Sequence, residues 1–102
     1  MFDKAGMGGM FGALGDQMRK MQEQVAAEEV EGSVAGGKLR VRVNGAQEVL
    51  AVRIDPSLMD DREMLEDLLT AATNDALRRS KEIAAQKMAA FASSLGLPPG
   101  LL

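Results

Sequence analysis

The chain has 102 residues, and its 12 Lys and Arg against 15 Asp and Glu give a formal net charge of −3. It contains no His, Cys, Trp or Tyr and only three Phe. The length is that of one small domain. The missing residue types exclude disulfide frameworks, Cys/His zinc sites and nucleophiles that depend on Cys or His. At first sight, the negative net charge also argues against a nucleic-acid partner.

Signals for membranes or export are absent from the sequence. No apolar run approaches the ~18 residues that a membrane-spanning helix needs. The first residues, Met1–Gly6, lack the basic and apolar regions of a signal peptide. We therefore expect a cytoplasmic protein without a membrane partner.

Five glycines in the first fifteen residues predict a flexible, Gly/Met-rich segment over residues 1–15. A helix is predicted from about Asp16, as its N-cap, to about Glu28. Apolar residues recur here at alternating spacings of four and three, which is typical of a helix that packs along another helix. This methionine seam comprises Met7, Phe11, Leu14, Met18, Met21 and Val25. Residues 16–95 are predicted to form the single domain, followed by a Pro/Gly tail over 96–102.

Residues 29–55 change to a period of two, which is typical of half-buried strands. A short strand is predicted over 29–34, a second over 38–43 and a third over 48–55. The glycine-rich stretch 32–38 resembles a phosphate-binding P-loop, but Leu39 stands where the required Ser or Thr would be, and a strand follows instead of a helix. We therefore interpret 35–37 as a connection between strands.

The sequence also predicts how the second and third strands pair. Asn44-Gly45 favours a tight hairpin turn. Such a turn would place Val41 opposite Leu50 and Leu39 opposite Val52, with the apolar side chains on one face. The opposite face would then carry the cations Arg40, Arg42 and Arg53.

The last element is predicted to be a helix from Asp60, with Glu63 completing a capping box, to about Ser93. About 34 residues at ~1.5 Å each give a rod of roughly 50 Å. A compact domain of this size has a radius of gyration of only ~13 Å. The helix must therefore break, project, or pack against a second copy, and its continuous apolar stripe favours a homodimer.

No constellation in the chain resembles a catalytic site. The acidic residues at the start of the last helix complement the helix dipole and lack the spacing of a calcium-binding loop. We predict no enzyme activity, no catalytic residues, no cofactor, no bound metal and no small-molecule substrate.

Cations are concentrated in a few places along the chain. Residues 60–75 carry six carboxylates against one cation, a sum of −5, whereas residues 78–87 carry four cations against one carboxylate, a sum of +3. These cations can be read as solvated surface charges or as a footprint for phosphate groups, which respond to local charge more than to total charge. The scarcity of aromatic residues disfavours recognition of single strands by base stacking. The groups are Arg19 and Lys20; Lys38, Arg40 and Arg42; and Arg78, Arg79, Lys81 and Lys87.

Several blocks of the chain resemble the YbaB/EbfC family of bacterial nucleoid-associated proteins. The similarity spans essentially the whole sequence, and its most specific parts are the Ile-Asp-Pro and Asn-Asp-Ala motifs. The blocks are 43–45 (VNG), 52–58 (VRIDPSL), 63–69 (EMLEDLL), 71–76 (AATNDA) and 96–100 (GLPPG).

The resemblance implies an α+β fold, with an α-β-β-β-α protomer, a small antiparallel sheet, long helices and a tweezer-like homodimer. It further implies binding of double-stranded DNA in the nucleoid, for chromosome organisation or gene regulation. By position, the DNA-binding arms would be the first helix, with Arg19 and Lys20, and the helix after the Asn-Asp-Ala motif, with Arg78, Arg79, Lys81 and Lys87. Apart from the resemblance, the cations Lys38, Arg40 and Arg42 on one strand face are a candidate secondary DNA-binding group because of their charge.

A second hypothesis is a dimeric module that binds another protein and has no direct role on DNA. The methionine seam and the acidic residues near the start of the last helix would then supply its contact surfaces. Partners that survive nuclease treatment in a pull-down would favour this alternative.

Overall fold

The computed structural model describes residues 9–96, with side chains from Gly12 onward. The element order is α-β-β-β-α, which confirms the predicted α+β class. The elements are α1 (Gly9–Ala27), β1 (Glu29–Val34), β2 (Leu39–Asn44), β3 (Val49–Ile54) and α2 (Arg62–Ser94), with 3₁₀ turns at Ala35–Gly37 and Pro56–Leu58.

Helix α1 begins at Gly9, seven residues before the predicted start, so Asp16 is not its N-cap. The Asp16 carboxylate instead accepts a hydrogen bond from Arg19, at 2.7 Å, on the helix surface. In the methionine seam Val25 is buried and Met21 is half-buried. Met7 and the Phe11 side chain lie outside the described part of the chain. The predicted flexibility of residues 1–15 stays a prediction.

Helix α2 is capped by Asp61, one residue later than predicted, because the Asp61 carboxylate accepts a hydrogen bond from the Met64 amide at 3.1 Å. The helix then continues without a break for 33 residues. The molecule measures 70 × 22 × 17 Å, and its radius of gyration is 19.6 Å. The described chain is thus far more extended than a compact domain of ~100 residues, for which ~13 Å is expected.

The three strands form one antiparallel sheet in the order β1-β2-β3. The predicted register between β2 and β3 is wrong by two residues. Val41 pairs with Val52 instead of Leu50, and Leu39 pairs with Ile54.

Two local features produce this difference in register. The hairpin loop is longer than a tight turn, since the Asn44 amide donates to the Glu48 carbonyl at 3.0 Å and Gln47 takes a positive φ of 67°. A β-bulge then shifts the pairing between Arg42 and Val43. Each feature moves the register by one residue, and two such shifts restore the original faces. The predicted division into an apolar and a cationic face therefore holds.

The core lies between α2 and the first two strands. Leu39, Val41 and Val43 are fully buried there, facing Ala72 and Ala76 of α2. Helix and sheet approach so closely at Gly32 that a Cβ at this position would overlap the Ala72 carbonyl oxygen. Small residues on both sides thus fix where α2 crosses the sheet.

The β2–β3 loop is held between the two helices. The Ser80 hydroxyl of α2 is buried; it donates to the Asn44 carbonyl at 2.8 Å and accepts from the Gln47 side chain at 3.0 Å. On the other side Gly45 packs against the backbone of Val25, near the end of α1. This loop therefore sets the position of both helices at the point where they leave the sheet.

Replacing Gly45 with Ala is expected to destabilise the fold, because the new Cβ would overlap the Val25 carbonyl oxygen. Overpacking of this kind costs about 1–3 kcal/mol. Urea unfolding measures the change. The matched control is Gly15→Ala, at an open site within α1, where replacement of a helical glycine should stabilise by about 1 kcal/mol. Equal stability of the two variants would contradict this account of the loop.

Candidate nucleic-acid interface

The strongest concentration of predicted site residues is on one turn of α2. The stripe of α2 that contacts the sheet contains Ala72, Ala76 and Ser80. At 3.6 residues per turn, Arg78 lies about 160° around the helix from the middle of this stripe, and Lys81 lies on one flank, about 140° from it. Arg79 lies on the other flank, beside β1, where it lines a cavity with Val30 and Glu31. All three cations of this group, the α2 basic turn, are exposed.

Asp75 holds both arginines of the α2 basic turn. Its carboxylate accepts a hydrogen bond from the Arg79 Nε at 3.0 Å and lies 3.9 Å from Arg78. The Asp75 side chain is 25% exposed, whereas the two arginine side chains are 65% and 58% exposed. One carboxylate therefore orients two guanidinium groups. Because the α2 basic turn has three cations, its net charge remains positive.

The two cations of α1 lie on its exposed surface. Arg19 makes an ion pair with Asp16 at 2.7 Å, and both side chains are more than half exposed. Lys20 is exposed as well. Within residues 12–96, no hydrogen bond or ion pair joins these residues to the α2 basic turn. The two predicted arms thus carry separate groups of charge.

Lys87 stands apart from the other cations of α2. Its ammonium group lies 3.3 Å from the Glu28 carboxylate. Glu28 directly follows α1, so this ion pair links the end of α1 to the second half of α2. Lys87 therefore ties the two helices together.

The secondary group lies on the sheet face that points away from α2. Arg42 pairs with Glu29 at 3.1 Å, and Arg40 pairs with Glu31 at 3.7 Å. Lys38 lies where β2 begins, at the end of the sheet. Most predicted cations are thus already matched by a carboxylate of the same chain.

The pKa of Asp55, at the same end of the sheet, is lowered mainly by hydrogen bonds from Ser57, with a smaller effect from the charge of Lys38. The Asp55 carboxylate accepts from the Ser57 amide at 2.9 Å and caps the 3₁₀ turn that ends the sheet. Asp55 is therefore an ionised capping group.

Two residues outside the predicted site also belong to these surfaces. Asp75 had only been counted among the acidic residues, and its role is visible from the i, i+3 and i, i+4 spacing to Arg78 and Arg79. Arg53 had been assigned to the cationic face of the sheet but not to a site. It lies directly opposite Arg40 in the register.

Helices long and apolar enough to cross a bilayer do not occur among residues 9–96.

Comparison with known proteins agrees with the resemblance noted from the motifs. Residues 1–95 match the YbaB/EbfC DNA-binding family. A relative from Syntrophobacter fumaroxidans named nucleoid-associated protein is 50% identical over 95 residues, covering 87% of this chain and 86% of the relative. The crystal structure of the uncharacterized protein HP0035 from Helicobacter pylori superimposes with a TM-score of 0.71 at 26% identity, covering 91% of this chain and 98% of that one. The match over almost the whole length shows that the chain belongs to the YbaB/EbfC DNA-binding family.

Proposed function

We propose that this protein binds duplex DNA as a homodimer, mainly through phosphate contacts from its helices, and acts in the nucleoid in chromosome organisation or gene regulation. The α2 basic turn carries this proposal. Its three cations are exposed, and two of them, Arg78 and Lys81, lie on the helix surface that the sheet leaves free. Arginine and lysine on an open helix surface suit the sequence-independent recognition of a phosphate backbone.

The net charge of −3 does not oppose this function. The carboxylates of α2 are concentrated toward its start, while its cations other than Arg62 lie beyond residue 77. At physiological ionic strength, exposed charges more than ~8 Å apart are largely screened from each other. A phosphate at the α2 basic turn therefore interacts with the nearby arginines much more strongly than with the acidic start of the helix.

The uncovered face of β3 supports a homodimer. Helix α2 packs over β1 and β2, whereas β3 lies at the far edge of the sheet. Val49, Val52 and Ile54 share the apolar face but remain 50%, 44% and 36% exposed. A second copy that covers this face would bury these side chains, and the edge of β3 also offers free backbone groups for pairing.

A dimer would bring two sets of helical cations to one duplex. The second set then binds at a high effective concentration, so affinity rises without new kinds of contact. In this arrangement Arg19, Lys20 and the α2 basic turn make the phosphate contacts. Lys87 acts chiefly as the tie between α1 and α2.

Changing Arg78 and Arg79 together to Glu is expected to weaken binding to all duplexes alike, because phosphate contacts carry no sequence information. In a gel-shift series over salt concentration, the slope of log K against log salt should fall by about 0.9 for each phosphate group that the variant no longer binds. The control is Arg78→Lys with Arg79→Lys, which keeps the charges and should keep most of the affinity. Unaltered affinity of the Glu variant would show that the α2 basic turn does not contact DNA.

Changing Asp75 to Asn is expected to strengthen DNA binding, because the carboxylate competes with phosphate for both arginines. The repulsion between two unit negative charges ~7 Å apart is about 0.6 kcal/mol in water. Removing it should raise the affinity for DNA roughly threefold. Fluorescence anisotropy with a labelled duplex measures this change. Glu66→Gln is the matched control, since it removes the same charge from the exposed ion pair with Arg62. A decrease in affinity in the Asp75 variant would instead mean that Asp75 is needed to orient the arginines.

Changing Val52 to Asp is expected to give a folded monomer, because this side chain is 44% exposed in the protomer but would be buried in the dimer. Analytical ultracentrifugation measures the change in mass. DNA affinity should fall by about 10²-fold or more, since a monomer presents only one set of cations. Ala51→Asp, on the opposite sheet face, is the control. If the wild-type protein already sediments as a monomer, the dimer is excluded, and the apolar face of β3 would fit a protein partner instead.

A further inference from the structure

We propose a second phosphate-binding site on the outer face of the sheet, formed by Arg40 and Arg53 with Lys38 at its rim. This outer-face site is separate from the α2 basic turn. Its ligand is a phosphate group, supplied either by a DNA backbone or by a free phosphate anion.

The first observation is a pair of like charges of which one member, Arg53, has no carboxylate partner in the described part of the chain. Arg40 and Arg53 are direct partners in the register of β2 and β3. Like charges directly opposite each other destabilise a sheet. Arg53 makes no ion pair within residues 12–96, and the carboxylate nearest to Arg40, that of Glu31, is 3.7 Å away. An anion between the two guanidinium groups would remove the repulsion.

The second observation is that Arg40 is held in place by the backbone. Its Nε donates a hydrogen bond to the Gly37 carbonyl at 3.0 Å. Gly37 has a φ of +89°, and a Cβ at this position would lie 3.0 Å from the Arg40 Nη2 atom. The turn thus needs glycine both for its conformation and to let the guanidinium lie close. Nε is anchored to the turn, and Nη1 lies 3.7 Å from the Glu31 carboxylate, too far for a hydrogen bond. The terminal nitrogens can therefore donate to an anion from a preorganised position.

The third observation is a cavity at the same place. It has a volume of about 300 Å³ and is lined by Gly37, Lys38, Arg40, Arg53, Ile54 and Asp55. Three of these residues are cations and one is a carboxylate. The Asp55 carboxylate accepts from the Ser57 amide at 2.9 Å and keeps its negative charge, so three cations against one carboxylate leave the lining a net charge of +2. Two arginine side chains in the lining of one open cavity supply the donors with which proteins bind phosphate in a bidentate manner.

The outer-face site cannot share one phosphate group with the α2 basic turn. Side chains alternate between the two faces of a strand. Arg40 and Arg53 are therefore on the face away from α2, while Arg78 lies on the side of α2 away from the sheet. The two sites are separated by both layers of the fold, so the outer-face site binds its own ligand. If that ligand is DNA, it is a different part of the duplex or a second duplex.

The test uses Arg53→Gln in the full chain, with Arg62→Gln as the control. Arg62 is 88% exposed at the start of α2, and its substitution makes the same change of charge. Both variants should fold, and Arg53→Gln should melt no lower than wild type in chloride because it removes the like-charge pair. At equal ionic strength, replacing chloride by about 50 mM inorganic phosphate should raise the Tm of wild type and of the control by about 4 °C. The part of this shift that comes from the outer-face site should be absent in Arg53→Gln, which keeps only the general stabilisation by phosphate and any binding at the α2 basic turn.

A gel-shift series over salt concentration then identifies the source of the phosphate. If the DNA backbone occupies the site, Arg53→Gln lowers the slope of log K against log salt by about 0.9 per phosphate group, and Arg62→Gln does not. If only the Tm shift disappears, the ligand is a free phosphate anion. Failure of wild-type protein to bind any duplex would refute the proposed function but not this site, because the Tm measurement needs no DNA.

Two results would overturn the outer-face site. In one, phosphate raises the Tm of Arg53→Gln as much as that of wild type. In the other, Arg53→Gln changes the sedimenting mass, which would mean that a second copy covers the arginine pair. Sedimentation of both variants in chloride therefore accompanies the melts.

Discussion

The close contact between α2 and β1 at Gly32 is the constraint on which the rest of the architecture depends. The glycine and the facing Ala72 and Ala76 let the helix lie directly on the sheet. The helix then covers β1 and β2 and seals Leu39, Val41 and Val43 in the core. One helix cannot cover three strands in this position. The apolar face of β3 stays open as a consequence, and this opening is the physical reason to expect a second copy.

The β2–β3 loop also fixes how both helices lie where they extend beyond the sheet. Ser80 fastens the loop to α2, and Gly45 fits it against the end of α1. Arg79 and Lys81 are the immediate neighbours of Ser80 in the chain. The buried hydroxyl that joins helix and sheet is thus also what fixes the height and rotation of the α2 basic turn. The Ser80 contact thus contributes both to the stability of the fold and to the position of these charges.

The local grouping of charged side chains matters more in this protein than the sign of its net charge. Asp75 forms ion pairs with two arginines of α2, and Glu28 forms one with Lys87. Glu29 and Glu31 form ion pairs with the arginines of β2. Exposed pairs of this kind add little to stability, about 0–1 kcal/mol each. Their main effect is on where positive charge is left without a neighbouring carboxylate. Arg53, without such a partner in the described part of the chain, is the exception on the sheet.

The sequence by itself determined the order of the elements, the class of fold and the two faces of the sheet, because these follow from local periodicity and from the Ile-Asp-Pro and Asn-Asp-Ala motifs. It also located the basic groups. Only the tertiary structure decided the register of β2 and β3, since a longer loop and a bulge each moved it by one residue. Only the structure placed Arg53 opposite Arg40 and Asp75 between two arginines, and tied Lys87 to Glu28. These relations depend on the register, on side-chain rotamers and on contacts between distant residues, which the period of a sequence does not encode.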